Sequence, residues 1–255
     1  LTSGSWQFEN DALAALRGKI MAGKQTLGEV YGAPLYGIKT GLNEAFIIDR
    51  PTRDRLMMDP KSGELLVPFL KGENIKRWRV ESADLYLINT PRGKVDIDAY
   101  PLVKAHLLAF RKDLEKRATK QEWWELQQAQ LAYQDSFLRS KIVYQDIANS
   151  NPFVFDVSGI YPANTCYFIP NGDARLIGFL NSRLAWFALC AMTNIARGGY
   201  LRLRTNFVTS VPLPKFETKD DEKLGKLALR TGDVAVRRYK VMHEVARRIL
   251  DLAPP

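Results

Sequence analysis

Lys141-Ile142-Val143-Tyr144-Gln145-Asp146-Ile147 reads as a strand, a run rich in β-branched and aromatic residues. Two more strand candidates follow it, Phe153-Val154-Phe155 and Cys166-Tyr167-Phe168-Ile169. Upstream, Ala45-Phe46-Ile47-Ile48, Leu65-Leu66-Val67-Pro68-Phe69 and Leu85-Tyr86-Leu87-Ile88 are short apolar runs bounded by Gly, Pro, Asn and Asp. Helical spacing takes over elsewhere. A short helix is expected over 8–23, with Leu13, Leu16 and Ile20 on one face and Gly23 at its end. Residues 101–138 turn helical, first through Val103, Leu107, Phe110 and Leu114, then through Trp123, Trp124, Leu126 and Leu131. A helix is expected from 174 to about 195, then a break at Gly198-Gly199, then strand with turns over 200–214. The tail, 220–252, carries Val241, Val245, Ile249 and Leu252 as an apolar stripe, with Arg237, Arg238, Arg247 and Arg248 off it. Strand runs followed by terminal helices predict an α+β fold rather than a doubly wound sheet.

With 255 residues, 46% of them hydrophobic, the chain has enough apolar material for one large domain, or one domain plus a small appendage, and is not expected to be disordered. Thirty-seven Lys and Arg against 28 Asp and Glu leave a formal +9. Such a balance favours a polyanionic partner through counterion release, although it also serves solubility. Cys166 and Cys190 form neither a disulfide framework nor a zinc motif and read as two small buried hydrophobes in a reducing compartment. No signal peptide opens the sequence, and the apolar stretch 184–192 is far shorter than the roughly 18 residues of a membrane span. A cytoplasmic protein with no membrane partner is expected. The sequence opens without Met, which suggests a fragment.

Motifs that carry chemistry are missing. There is no Gly-x-Gly-x-x-Gly, no P-loop and no Gly-x-Ser-x-Gly. His106 and His243 both fall inside expected helices, and Asp96, Asp98, Glu115 and Asp146 are scattered. Asn151-Pro152-Phe153 resembles part of an adenine-methylation motif but lacks its second Pro, and reads as the start of a strand. Neither catalytic nor metal-ligating residues are expected.

Three constellations suit DNA instead. Tyr36-Gly37-Ile38-Lys39-Thr40-Gly41-Leu42-Asn43 makes a tight loop in which Lys39, Thr40 and Asn43 offer ammonium, hydroxyl and amide groups. In Gly198-Gly199-Tyr200-Leu201-Arg202-Leu203-Arg204-Thr205-Asn206, strand alternation turns Leu201 and Leu203 inward and lines the other face with Tyr200, Arg202, Arg204 and Asn206. In 71–79, Lys71, Lys76, Arg77 and Arg79 surround Trp78 and suit a phosphate clamp. Each also has a plainer reading, as a connection, a solvated strand or a packed Trp with its cations in water. The Trp123–Trp124 pair reads as core or interface, and the basic tail as a solvated face.

In order along the chain stand 37–46, Pro68-Phe69-Leu70-Lys71-Gly72-Glu73-Asn74-Ile75, Tyr100-Pro101-Leu102-Val103, 141–147, Asn164 before Cys166, Leu180-Asn181-Ser182, Gly198-Gly199-Tyr200 and Val211-Pro212-Leu213-Pro214. Taken together, this order resembles the TaqI-like C-terminal specificity domain of Type IIG restriction-modification enzymes and N6-adenine DNA methyltransferases, over roughly 26–216. The resemblance implies a curved, β-rich target-recognition body with inserted helices and a C-terminal helical appendage at 217–255. It implies sequence-specific recognition of double-stranded DNA without catalysis in this fragment. A separate methyltransferase domain of the same parent chain would bind S-adenosylmethionine, with 1–25 as the connector from it, and some parents also cleave DNA. The rival readings are a protein-interaction module that docks a methyltransferase or inhibitor protein, a stand-alone enzyme, and a binder of single-stranded nucleic acid or RNA.

Overall fold

The computed structural model describes residues 11–81, 84–193, 198–216 and 219–252. Its frame is an antiparallel sheet of four strands in the order Leu35–Tyr36, Cys166–Pro170, Lys141–Gln145, Phe153–Asp156. Val143 pairs with Phe168 on one side and Val154 on the other, while Tyr144 pairs with Tyr167 and Phe153. Alternate positions feed two separate cores. Val143, Val154, Cys166 and Phe168 enter the first; Ile142, Tyr144, Phe153 and Ile169 enter the second. Both faces are covered, and for that reason Ile142-Val143-Tyr144 is apolar at every position.

Over the first core lies a second sheet, in the order Tyr161–Pro162, Leu66–Leu70, Tyr86–Ile88, Ile47–Ile48, with the helix Pro101–Leu108 beside it. Helices cover the second core: Leu27–Tyr31, Ala174–Leu180, Arg183–Met192, Thr205–Thr209 and the near half of the long terminal helix Lys219–Leu252. The α+β class read from the sequence is the class observed, with more helix than strand. No described helix is long and apolar enough to cross a membrane.

Several elements differ from the sequence reading, each for a physical reason. Residues 174–192 form two helices. Asn181 ends the first with its amide on the Phe153 carbonyl (3.0 Å), and Ser182 caps the second by accepting from Ala185 N (3.1 Å). Asn151 clamps this break by donating to the Leu180 and Ser182 carbonyls, which gives Asn151-Pro152-Phe153 a structural role. Ile195, the expected helix end, lies outside the described residues.

The stretch holding Trp123 and Trp124 is not helical. The Arg117 guanidinium takes the carbonyls of Leu114, Thr40, Glu122, Trp123 and Glu125, so a fixed fork of side-chain donors replaces helical hydrogen bonding. The two Trp rings meet edge-on at 5.5 Å and pack on the first core. Residues 43–46 form a helical turn before the strand Ile47–Ile48 begins. Cys166 is buried as expected, but Cys190 is exposed.

The terminal helix is present as read, yet its stripe is not buried. Val241 is 60% exposed and Val245 46%; the side chains of Ile249 and Leu252 lie outside the described residues.

Candidate nucleic-acid interface

A turn at 163–165 leads into the strand Cys166–Pro170, and two cationic segments are tied to the stretch 162–167. The first is the Lys39 loop. Ile38 N donates to Pro162 O (2.8 Å) and Asn164 N to Ile38 O (2.8 Å), and Lys39 exchanges both backbone bonds with Gln128. Gly37 is required here, because a Cβ would stand 2.1 Å from Pro162 O and 2.2 Å from Ala163 O. Lys39 and Asn43 are exposed. Thr40, read from the sequence as a contacting hydroxyl, is instead buried, and its hydroxyl donates to Asn43 Oδ1 at 2.7 Å. Its part is to orient Asn43. Lys71 joins this segment: Gly72 N donates to Thr165 Oγ1 (3.1 Å), and Asn43, Lys71, Asn164 and Thr165 line one shallow hollow.

The second segment is the Arg202 ribbon, Leu201–Arg202 paired with Ile147–Ala148. Leu201 and Leu203 point inward as expected. Asp146 joins the ribbon to the turn: its N–H donates to Thr165 O (3.1 Å) and its carbonyl accepts from Leu203 N (2.7 Å). Its carboxylate accepts from Arg202 Nη1 at 3.2 Å. The strand is only two residues long. Arg204 caps the helix Thr205–Thr209, so Asn206 belongs to that helix and not to the ribbon face expected for it.

Thr205 Oγ1 donates to Pro34 O (3.1 Å), which brings Arg204 beside the edge strand Leu35–Tyr36. Tyr36 lies across from Tyr167, and Tyr167 stacks on Tyr144 at 5.7 Å. Burial raises the Tyr167 hydroxyl pKa, as do the Asp146 and Tyr36 charges, while Arg204 and Arg202 pull it down. These five residues therefore share one electrostatic neighbourhood. Tyr200 stands 40% exposed after Gly198 and Gly199, both at positive φ.

The run Lys71–Arg79 is divided between two places in the fold. Ile75–Lys76 and Arg79–Val80 form a hairpin turned at Trp78, whose N–H donates to Phe153 O (3.1 Å). That places Arg77 and Arg79 at the Phe153–Asp156 edge, three strands from Tyr36, with Arg79 over the Tyr239 ring of the terminal helix at 5.4 Å. Arg77 donates to the Asn181 carbonyl, and Arg79 pairs with Glu81 at 2.5 Å. Lys76 is half-buried in the same hairpin.

Sequence reading quoted Tyr36, Asn164 and Tyr167 within motifs without giving them a contact role, did not name Thr165, and left Asp146 among scattered carboxylates. Only strand register assembles them, and no local motif marks it. His106 is half-buried with Nε2 3.0 Å from Ala45 O, and burial lowers its pKa. Among the described residues no three His, Cys, Asp or Glu side chains are arranged to hold a metal ion.

Residues 67–213 match the family model described as the TaqI-like C-terminal specificity domain. Among solved structures, the Type IIL restriction-modification enzyme MmeI, determined in complex with DNA, matches with a TM-score of 0.54 and 16% identity over 77% of this chain. The Type IIG restriction endonuclease BpuSI matches with a TM-score of 0.50 and 10% identity over 85% of this chain. The chain spans 27% and 28% of those two chains, and at these identities they share its fold. No curated protein matches.

Proposed function

The chain belongs to the family of TaqI-like C-terminal specificity domains, and on that premise we propose that it reads a specific sequence in double-stranded DNA for a Type IIG-like enzyme. The parent would methylate adenine N6 with S-adenosylmethionine bound in a separate methyltransferase domain, and this chain would supply recognition without catalysis. The observation that carries the reading is the anchoring of two cationic segments on one turn. Lys39 and Asn43 are tied to 162–167 through Ile38, Lys71 through Gly72, and Arg202 and Arg204 through Asp146.

The division of labour follows from chemistry. Arg202 and Arg204 carry planar guanidinium forks suited to guanine O6 and N7, and Asp146 holds the Arg202 fork before DNA arrives. Asn43, oriented by Thr40, offers its amide to a base edge or phosphate. Lys39 and Lys71 are point charges suited to phosphates. Tyr200, half-exposed, adds a packing surface. Arg77 and Arg79 sit at the far edge of the sheet and are not assigned to readout.

A selection from randomised duplexes tests this. The expected result is an enriched motif whose affinity falls steeply with salt. Equal affinity for all sequences, or binding indifferent to salt, would end the reading.

A further inference from the structure

The terminal helix leaves the body partway along. Gly225 and Ala228 are buried, and a Cβ on Gly232 would lie 3.6 Å from the Trp78 carbonyl oxygen, but every side chain from 240 to 248 is exposed. On the outer face Leu227, Val234 and Val241 repeat at seven-residue intervals, with Val245 one turn further. All four are between 46% and 60% exposed. Seven-residue spacing keeps these aliphatic residues on one stripe of the helix, narrower than a full coiled-coil seam because Arg230, Arg237 and Glu244 stand three positions after them, and open to a second helix. Beside the near part of this seam lies a cleft, with Arg77 and Trp78 on one wall and Val234, Arg238 and Met242 on the other.

Charge decides what fits. Within 234–248 stand Arg237, Arg238, Lys240, Arg247 and Arg248 against one carboxylate, Glu244, which is already paired with Arg248 at 2.6 Å. Arg77 donates to a carbonyl, so its charge is not neutralised. A second copy of this chain would set these arginines against their like. A duplex would leave the valine seam in water. An apolar stripe with cationic flanks calls for a partner that is its opposite.

We infer that the free face of the terminal helix, with the Arg77–Trp78 turn, is a docking surface for an amphipathic protein helix whose apolar seam is flanked by acidic residues. The surface lies past the Phe153–Asp156 edge, away from the Lys39 and Arg202 segments, and the inference does not rest on DNA reading.

The test uses the intact chain and a labelled synthetic helix of about 20 residues, with leucines at heptad spacing and glutamates flanking them. A scrambled peptide of the same composition is the control. Binding of the patterned peptide is expected, with loss of about tenfold or more in Val241→Asp/Val245→Asp and in Arg237→Glu/Arg238→Glu. All four side chains are exposed, so folding is untouched. Affinity for a DNA duplex should stay unchanged in the valine variant, which separates this inference from the readout proposal. Equal binding of the scrambled peptide, or unchanged binding in both variants, would overturn it. So would a wild-type dimer that the valine variant dissolves, or displacement of the peptide by anionic vesicles or single-stranded DNA.

Discussion

One oxygen of Asp146 accepts from Arg202 Nη1 at 3.2 Å, while the other, Oδ1, is buried without a partner. A carboxylate in this setting aims the guanidinium and also repels phosphate. Asp146→Asn removes both effects. Affinity for arbitrary duplex is expected to rise and discrimination between target and non-target to fall, by about tenfold if one base contact loses its alignment. Competition anisotropy with specific and random duplexes measures the two together; a drop in random-duplex affinity would refute the repulsive part.

The two cationic segments are expected to fail differently. Arg202→Ala and Arg204→Ala should each cost about 1–3 kcal/mol on the target and much less on random DNA. Lys39→Ala should weaken all sequences alike and reduce the salt slope by about 1. Titrations at several salt concentrations distinguish these patterns, and an Arg202→Ala protein with intact discrimination would remove Arg202 from readout.

Gly37→Ala is expected to be costly because its Cβ meets two backbone carbonyls, which cannot rotate away. A loss of about 3 kcal/mol is expected, with weakened DNA binding as the Lys39 loop is displaced. Gly93→Ala is the control: its φ is +65°, and nothing lies within 4 Å of the added Cβ. It should cost backbone strain of about 1 kcal/mol and leave DNA binding alone. Urea unfolding compares the two.

Lys141 is fully buried and donates to Phe137 O (2.6 Å) and Asp156 Oδ2 (2.5 Å). Asp156→Ala leaves that ammonium without a counter-charge and should destabilise by about 3–5 kcal/mol. Lys141→Met with Asp156→Leu replaces the pair by apolar volume and should recover most of the loss. Denaturant midpoints at fixed m-value report it.

Alkaline pH should weaken the fold through buried acids. Burial pushes the Cys166 thiol from 9.0 up to about 12. Above pH 9 the unfolded thiol releases its proton and the folded one keeps it, so stability falls by about 1.4 kcal/mol per pH unit until the folded value is reached. Tyr144, buried between neighbouring Tyr167 and Asp146, and Tyr31, raised to about 12 by burial and Asp173, add their losses from pH 10. Lys141 works the other way. Burial lowers it despite Asp156, so between its folded value and 10.5 the unfolded chain holds the extra proton and stability rises. Cys166→Ala should therefore flatten the decline that begins at pH 9, read from unfolding free energies at successive pH values.

The legible parts of this fold were those written locally. Lys141-Ile142-Val143-Tyr144 declares a strand by its residue types, and the terminal helix declares itself by period. The helix break at Asn181-Ser182 was not legible, because its cause is a pair of buried amides acting over long range, Asn181 on the Phe153 carbonyl and Asn151 on the Leu180 carbonyl. Nor was the loss of helix near Trp123, where the decisive donor, Arg117, acts through its side chain. The candidate site divided in the same way. Lys39 and Arg202 advertise themselves as cations in Gly-bounded segments, whereas Thr40 looks like a contact until its burial is seen. Tyr167 and Asp146 enter only through strand register.

Because residues 162–167 peg both segments, the distance between the Lys39 side chain's anchor and that of Arg202 is set by main-chain bonds, not by which side chains do the reading. Exchanging those side chains should then change the letters recognised while leaving the number of base pairs spanned as it was. Protection footprints of retargeted variants would keep a constant length.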